Sequence, residues 1–293
     1  MKLTSPSAIK ALIARYDLIP SRVLGQNFLA DENILHIILD SAHLAAEDRV
    51  LEIGPGLGVL TEQLVARAAH VVAIEKDPRL SAYLRETYAH RPGLQLIEGD
   101  ALDQSLSDLL ARERITHVVS NLPYSAGTRI LIELIDSPHR PLRMVVMLQS
   151  DVAERLAAPP GSKVYGIAGI HAQMYYEVLL RKTVSPTCFY PRPEVKSALI
   201  ELYRRPEPQT VLREPAFFNK LVQWCFSQRR KQIGRILTHA PADVIPSARD
   251  TAVALRAAGI EPDQRPESIA VATWGRLANE LGTPGPVIGN VPH

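Results

Sequence analysis

The sequence predicts an α/β domain, a doubly wound, largely parallel sheet with helices on both faces, followed by a small all-helical domain. Three observations carry this. The first two thirds of the 293-residue chain alternate short apolar runs with amphipathic segments, the pattern of βαβ units. The first strand-like run of that series ends in the glycine turn Gly54-Pro55-Gly56-Leu57-Gly58, as where ligands meet such a sheet. After the charged, proline-containing stretch 204–209 the apolar period changes to that of helices.

The candidate strands are 50–53, 71–75, 94–98, 117–121, 144–148, 176–180 and 198–203. Several are nearly unbroken Val/Ile/Leu runs, as strands covered on both faces require. Segments 60–69, 79–90 and 128–134 between them have helical spacing. Beyond the break, Phe218, Leu221, Val222, Cys225 and Phe226 recur at helical intervals, with Pro215 near the helix start. Segments 252–258 and 268–281 read as further helices. The expected division is therefore 1–206 and 207–293, with disorder expected after Gly282.

Composition narrows the class. A hydrophobic fraction of 46% with 22% charged residues is that of a folded globular protein. The net charge of +2 is too small to announce a nucleic-acid partner, so any basic patch is local. Cys188 and Cys225 are far apart and form no metal or disulfide framework. No metal is expected, and a reducing, cytoplasmic setting is the default. The first apolar stretch is broken by Lys10, Arg15 and Asp17, so neither a signal peptide nor a membrane span is expected.

Glycines after the first strand of the series permit a tight turn and close approach of a ligand to backbone. The third glycine comes one residue too early for a dinucleotide motif, and Glu52 lies two residues before the first. This arrangement is similar to the nucleoside-binding loop of S-adenosylmethionine (SAM) methyltransferases. Glu75 ends the next strand and Asp100 follows the one after. Carboxylates there suit ribose hydroxyls and an adenine amine respectively, although the same residues also serve as helix caps or solvated loop charges.

Asn121-Leu122-Pro123-Tyr124 closes the fourth strand. It resembles the Asn/Asp-Pro-Pro-Tyr motif of enzymes that methylate exocyclic base amines. An adenine amine is a poor nucleophile because its lone pair is delocalised into the ring. The Asn121 side-chain oxygen and the Leu122 carbonyl can hold both amine hydrogens and favour a pyramidal nitrogen. Pro123 stiffens the turn, and Tyr124 offers a ring for an extruded base, worth about 1–3 kcal/mol. A Pro-Tyr turn with a buried tyrosine is the plainer use of the same residues.

With these motifs in order, the chain resembles the ribosomal RNA adenine dimethyltransferase family. Gly25-Gln26-Asn27-Phe28-Leu29, Glu98-Gly99-Asp100-Ala101, Met147-Leu148-Gln149, Pro160-Gly161-Ser162-Lys163-Val164-Tyr165-Gly166, the spaced set Phe189, Pro191, Pro193, Val195 and Ser197, and Gln228-Arg229-Arg230-Lys231 also match it. The resemblance implies a Rossmann-like SAM-dependent methyltransferase domain over 1–206 and a helical RNA-binding domain over 207–293. It implies that Asn27 and Leu29 contact the methionine end of SAM, that Gly54 and Gly56 line it, that Glu75 holds its ribose and Asp100 its adenine, and that Asn121 touches both cofactor and base. Phe189 is either the second face of a base sandwich with Tyr124 or a core aromatic.

The implied substrate is a pair of adjacent adenosines near the 3′ end of small-subunit rRNA within a pre-ribosomal particle. The enzyme is expected to be a cytoplasmic monomer with a role in ribosome biogenesis and no membrane contact. The branch that dimethylates a large-subunit adenosine and confers macrolide resistance, and an assembly factor whose methylation is secondary, are the alternatives. The segments Pro160–Gly166, Gly259-Ile260 and Arg265-Pro266-Glu267 favour the small-subunit branch. Arg229, Arg230, Lys231 and Arg235 are expected on the first C-terminal helix as phosphate contacts, or as a solvated helix face. Arg22, Arg181, Lys182, Arg192 and Lys196 are candidates to extend that surface. Two departures from the family pattern stand out: Leu24, and Ser125-Ala126-Gly127 after the catalytic tyrosine. Gly127 is expected to loosen the loop beside the target pocket.

Overall fold

The computed structural model describes residues 3–282 except 19, 22–23, 89 and 246–249. Arg22 and the tail after Gly282 therefore lie outside the described residues. The chain divides into two compact units, one of Met1–Ala153 with Val178–Arg204, the other of Glu154–Glu177 with the chain from Arg205 on.

The first unit opens with α1 (Pro6–Tyr16), β1 (Phe28–Leu29) and α2 (Glu32–Ala42). The alternation follows: β2 (Arg49–Ile53), α3 (Val59–Val65), β3 (His70–Glu75), α4 (Pro78–Tyr88), β4 (Leu94–Glu98), α5 (Leu106–Arg112), β5 (His117–Asn121), α6 (Gly127–Asp136) and β6 (Arg143–Gln149). Helices α7 (Ser150–Ala157) and α8 (Ile167–Tyr175) lead to β7 (Tyr176–Val184), β8 (Phe189–Tyr190) and β9 (Ser197–Arg204). The main sheet has the order β4-β3-β2-β5-β6-β9-β7. Strands β2 to β6 are mutually parallel. The central apolar runs are buried as predicted, with no exposed surface at Val71, Val72, Val118, Val119 and Val145, whereas β4 is half-buried and β7 largely exposed. One apolar cluster joins α2 and α3 to the sheet, and another joins α1 and α4.

Strand β9 departs from the parallel expectation. It runs antiparallel to β6 over seven pairs, from Arg143↔Tyr203 to Gln149↔Ser197. Residues 185–196 join β9 to β7, its other neighbour in the sheet, and contain no helix longer than a short 3-10 turn, whereas a parallel return needs a long crossover. A second departure is the two-residue antiparallel ladder of β1 with β8, Phe28↔Tyr190 and Leu29↔Phe189. No alternation pattern can declare a ladder so short.

The chain winds outward from β2 through β3 to β4, then returns to place β5 on the other side of β2. The order reverses between β2 and β5, where the crevice at the carboxyl ends of the strands opens. Their register, Val50↔His117 and Leu51↔Val118, carries Gly54 and Asn121 to the same level. The Ser120 hydroxyl donates to the Ile53 carbonyl at 2.5 Å and locks the two strand ends together.

In the second unit, α8 shares an apolar cluster with α9 (Pro215–Ser227), α10 (Ile233–Thr238), α11 (Thr251–Ala258) and α12 (Val271–Leu281). Residues 154–177, which the sequence division keeps with the sheet, thus belong here. Tyr165, Ile170 and Met174 are buried in the same cluster as Phe218, Leu221 and Trp274, and the Tyr165 hydroxyl donates to the Ile269 carbonyl at 2.9 Å. The predicted helices at 252–258 and 268–281 correspond to α11 and α12, the latter preceded by a 3-10 turn at Pro266–Ser268. The basic cluster is not on the first C-terminal helix: α9 stops at Ser227, and Arg229, Arg230 and Lys231 occupy the turn before α10. The Gln228 and Lys231 amides close that turn onto Cys225 and Gln228. Among the described residues no helix is long and apolar enough to cross a membrane.

Candidate active site

A cleft opens at the reversal point between β2 and β5. Ten of the eleven residues expected to handle cofactor or base line it: Asn27, Leu29, Gly54, Gly56, Glu75, Asp100, Asn121, Leu122, Pro123 and Tyr124. Phe189 is the exception. It is 2% exposed, sits in the apolar cluster with Leu29, Val184 and Leu199, and takes no part in the cleft wall. Its side chain thus has the core setting that the sequence left open beside the base sandwich.

The glycine turn brings backbone close to its surroundings. Gly54 has φ +70° and Gly56 φ +58°, a region that favours glycine. A Cβ on Gly56 would stand 3.0 Å from the Phe28 ring, and one on Gly54 would stand 3.7 Å from Pro123 Cδ. The loop after β2 and the turn after β5 are therefore packed face to face.

Glu75 is 5% exposed, and both carboxylate oxygens accept backbone amides, from Gly56 at 3.0 Å and Asp77 at 2.9 Å. Burial pushes its pKa up, against the pull of those amides. Each oxygen keeps a second lone pair for a hydroxyl donor. Asp100 is at once a cap and a cleft residue. It accepts from the Leu102 amide at 3.0 Å, at the start of a 3-10 turn, and from Lys76 Nζ at 2.5 Å. The Lys76 ammonium holds its carboxyl below the usual range. Glu52 is 2% exposed, and burial together with neighbouring Glu75 pushes its pKa to about 8. Its Oε2 has no hydrogen-bond partner among the described residues.

The amide of Asn121 is oriented by a group outside its own motif. Its Nδ2 donates to the Asn27 carbonyl at 3.0 Å. Its Oδ1 is buried without a hydrogen-bond partner among the described residues. An unpaired buried acceptor costs free energy, and here it belongs to the cleft lining. The turn is rigid beyond it: the Pro123 carbonyl accepts from Ala126 at 3.1 Å and from Gly127 at 2.7 Å. Gly127 does not loosen the loop. It is the buried first residue of α6, and a Cβ there would meet Leu148 Cδ2 at 3.0 Å and Leu122 Cβ at 3.1 Å. The Tyr124 hydroxyl shares a hydrogen bond with Ser197 Oγ.

Gln26, Lys76 and Ser197 are functional neighbours that the sequence reading assigned no role. Gln26 ties the N-terminal segment to the rim through Asp77 Oδ2 at 3.0 Å. Lys76 merely follows Glu75 in sequence, and Ser197 ends the spaced Phe189–Ser197 motif, where serine by itself signals no chemistry. In the second unit Arg230, Lys231 and Arg235 are exposed. Arg229 is half-buried, donating to the Lys163 carbonyl at 3.0 Å and lying 3.8 Å from Glu267. Arg181, Lys182, Arg192 and Lys196 are exposed on the first unit.

A reversal-point cleft with a glycine turn, two acids at successive strand ends and an Asn-Leu-Pro-Tyr turn defines a Rossmann-like methyltransferase. The family model for ribosomal RNA adenine dimethylase matches residues 21–281. The ribosomal RNA small subunit methyltransferase A of Geobacter metallireducens is 37% identical over 262 residues, 89% of this chain and 94% of that one. Its counterpart from Geobacillus thermodenitrificans is 39% identical over 284 residues, 95% of this chain and 97% of that one. Among solved structures, a dimethyladenosine transferase from Plasmodium falciparum has a TM-score of 0.71 at 23% identity, covering 85% of this chain and 95% of that one. The 23S rRNA methyltransferase ErmE has a TM-score of 0.64 at 26% identity, covering 87% and 99%. This chain belongs to the ribosomal RNA adenine dimethylase family, and it is a SAM-dependent methyltransferase.

Proposed function

We propose that the chain dimethylates the exocyclic amines of two adjacent adenosines near the 3′ end of small-subunit rRNA, acting as a cytoplasmic monomer on a pre-ribosomal particle. The observation that carries the chemistry is the Asn121 amide, whose Nδ2 donates to the Asn27 carbonyl and whose buried Oδ1 has no partner among the described residues. The 37–39% identity over most of the chain to enzymes named for the small subunit supports the choice of substrate.

The residues present fit the cofactor. Glu52 and Asn121 each present a buried oxygen with no partner among the described residues in the same cleft, and Glu75 and Asp100 stand at its strand ends. Glu75 would hold the ribose and Asp100 the adenine, with Asn27, Leu29, Gly54 and Gly56 along the rest. Bound there, SAM supplies an electrophilic methyl group on a sulfonium.

The chain's own residues do the remaining work. Asn121 Oδ1 and the Leu122 carbonyl accept the two amine hydrogens of an extruded adenine, withdrawing the lone pair from the ring and aiming it. Tyr124 stacks on the base. Pro123 and its two amide donors keep that turn from yielding. In-line positioning of this kind supplies several kcal/mol of barrier reduction. No strong base is needed, since the alkylated nitrogen sheds its proton to solvent. The basic turn at Arg230 and Lys231, with Arg235, supplies phosphate contacts that fall with salt.

The test is incubation with under-methylated small subunits and SAM, followed by reverse transcription. A stop at the two adenosines that requires both enzyme and SAM supports the reading. Unmodified small subunits overturn it, and modification of large-subunit RNA instead moves the chain to the resistance branch.

A further inference from the structure

The Asn-Leu-Pro-Tyr turn is held at its asparagine end by the Asn27 carbonyl. Its tyrosine end is also held from outside the motif. Tyr124 lines the cleft, and its hydroxyl shares a hydrogen bond with Ser197 Oγ. Ser197 has no exposed surface and is not part of the cleft wall. It is the first residue of β9 and is paired with Gln149 at the end of β6. The neighbouring Ser150 amide donates to the Lys196 carbonyl at 2.9 Å, extending the pairing one step further. The hydroxyl is therefore set by the sheet, not by a loop.

A phenyl ring joined to backbone through two torsions is free to swing about the first of them. A hydrogen bond at its far end removes that freedom while leaving both ring faces available. We propose that Ser197 is a positioning residue for the methyl transfer: it fixes the Tyr124 ring as the wall on which the target adenine stacks. The inference rests on the functional reading above, in which Tyr124 stacks on the base. Ser197 acts only through the phenol.

The test is a double-mutant cycle on Ser197→Ala and Tyr124→Phe, which remove the same hydrogen bond from opposite ends. Steady-state rates are measured on under-methylated small subunits well below the melting temperature, with SAM affinity by calorimetry alongside. Each single variant is expected to lower kcat by about 3- to 10-fold, with SAM affinity unchanged. The double variant is expected to be no slower than the slower single. A purely structural contribution lowers the melting temperature without this kcat coupling. Wild-type kcat in Ser197→Ala, or losses that multiply in the double variant, overturns the inference while leaving the functional reading intact. If Ser197→Ala does not fold, Tyr124→Phe leaves β9 untouched and decides alone: an unchanged kcat overturns the proposal. A wild-type chain that methylates no adenine removes the functional reading itself, a result separable from every variant comparison.

Discussion

Asn121→Asp is the most discriminating single change in the cleft. The carboxylate keeps the acceptor that faces the amine and the shape of the side chain. It loses the donor that binds the Asn27 carbonyl at 3.0 Å, so two oxygens face each other there. Leaving a half-buried carbonyl without its partner costs about 1–2 kcal/mol, before repulsion is added. At about 1.36 kcal/mol per factor of ten, kcat/KM falls roughly 5- to 30-fold. The repulsion also favours the protonated acid, whose hydroxyl restores a donor to Asn27. The ratio of variant to wild-type rate therefore rises as pH falls. Initial rates of methyl transfer from labelled SAM to under-methylated small subunits, taken across a pH series, measure both effects. An Asn121→Asp enzyme equal to wild type at neutral pH, with a flat ratio, refutes the claim that Asn27 orients the catalytic amide.

Glu52 gives the unliganded protein a pH signature. Its folded pKa, about 8, is raised above the ordinary 4.5, so the folded state holds more protons than the unfolded one between those values. Stability therefore declines as pH rises through that window. Glu52→Gln should flatten the decline in thermal melts, and parallel curves for the two proteins contradict it. Gly58 has φ +78°, and a Cβ there would stand 2.7 Å from the Tyr88 ring. Gly58→Ala should cost about 2 kcal/mol or more and lower the melting temperature by about 4–8 °C; an unchanged melt would show the turn to be pliable. Arg230→Ala should weaken RNA binding and reduce the slope of log affinity against log salt by about 0.7–0.9. Arg229→Ala, which loses the Lys163 carbonyl, should act more on melting temperature than on that slope, and equal slope changes would refute the distinction.

Much of the fold was legible because its central strands β2, β3, β5, β6 and β9 are buried on both faces. All seven strands of the main sheet correspond to predicted apolar runs, and β5 has the predicted bounds. The antiparallel course of β9 was not legible, since strand direction depends on the connection rather than on the strand's own residues. The attachment of 154–177 to the helical unit was hidden for a similar reason. Ala158, Tyr165 and Ile170 are apolar in either setting, and only the three-dimensional cluster reveals their partners. The cleft was legible wherever chemistry dictates residue type, as at Glu75, Asp100 and the Asn-Leu-Pro-Tyr turn. It was not legible where one residue acts through another. Ser197 and the Asn27 carbonyl are ordinary groups whose roles come only from what they touch. Gly127 shows the limit from the other side: a glycine that reads as looseness is the close contact of α6 with Leu122.

The central claim is that the turn ending β5 grips an adenine amine for methyl transfer. Nucleoside mass spectrometry of under-methylated small-subunit rRNA, treated with SAM and either wild-type or Asn121→Ala protein, tests it most directly. Wild-type protein should yield dimethylated adenosine, and the variant should lose about 100-fold or more in rate while still binding RNA. Methylation on a ribose or a pyrimidine, or undiminished dimethyladenosine with the variant, would contradict it.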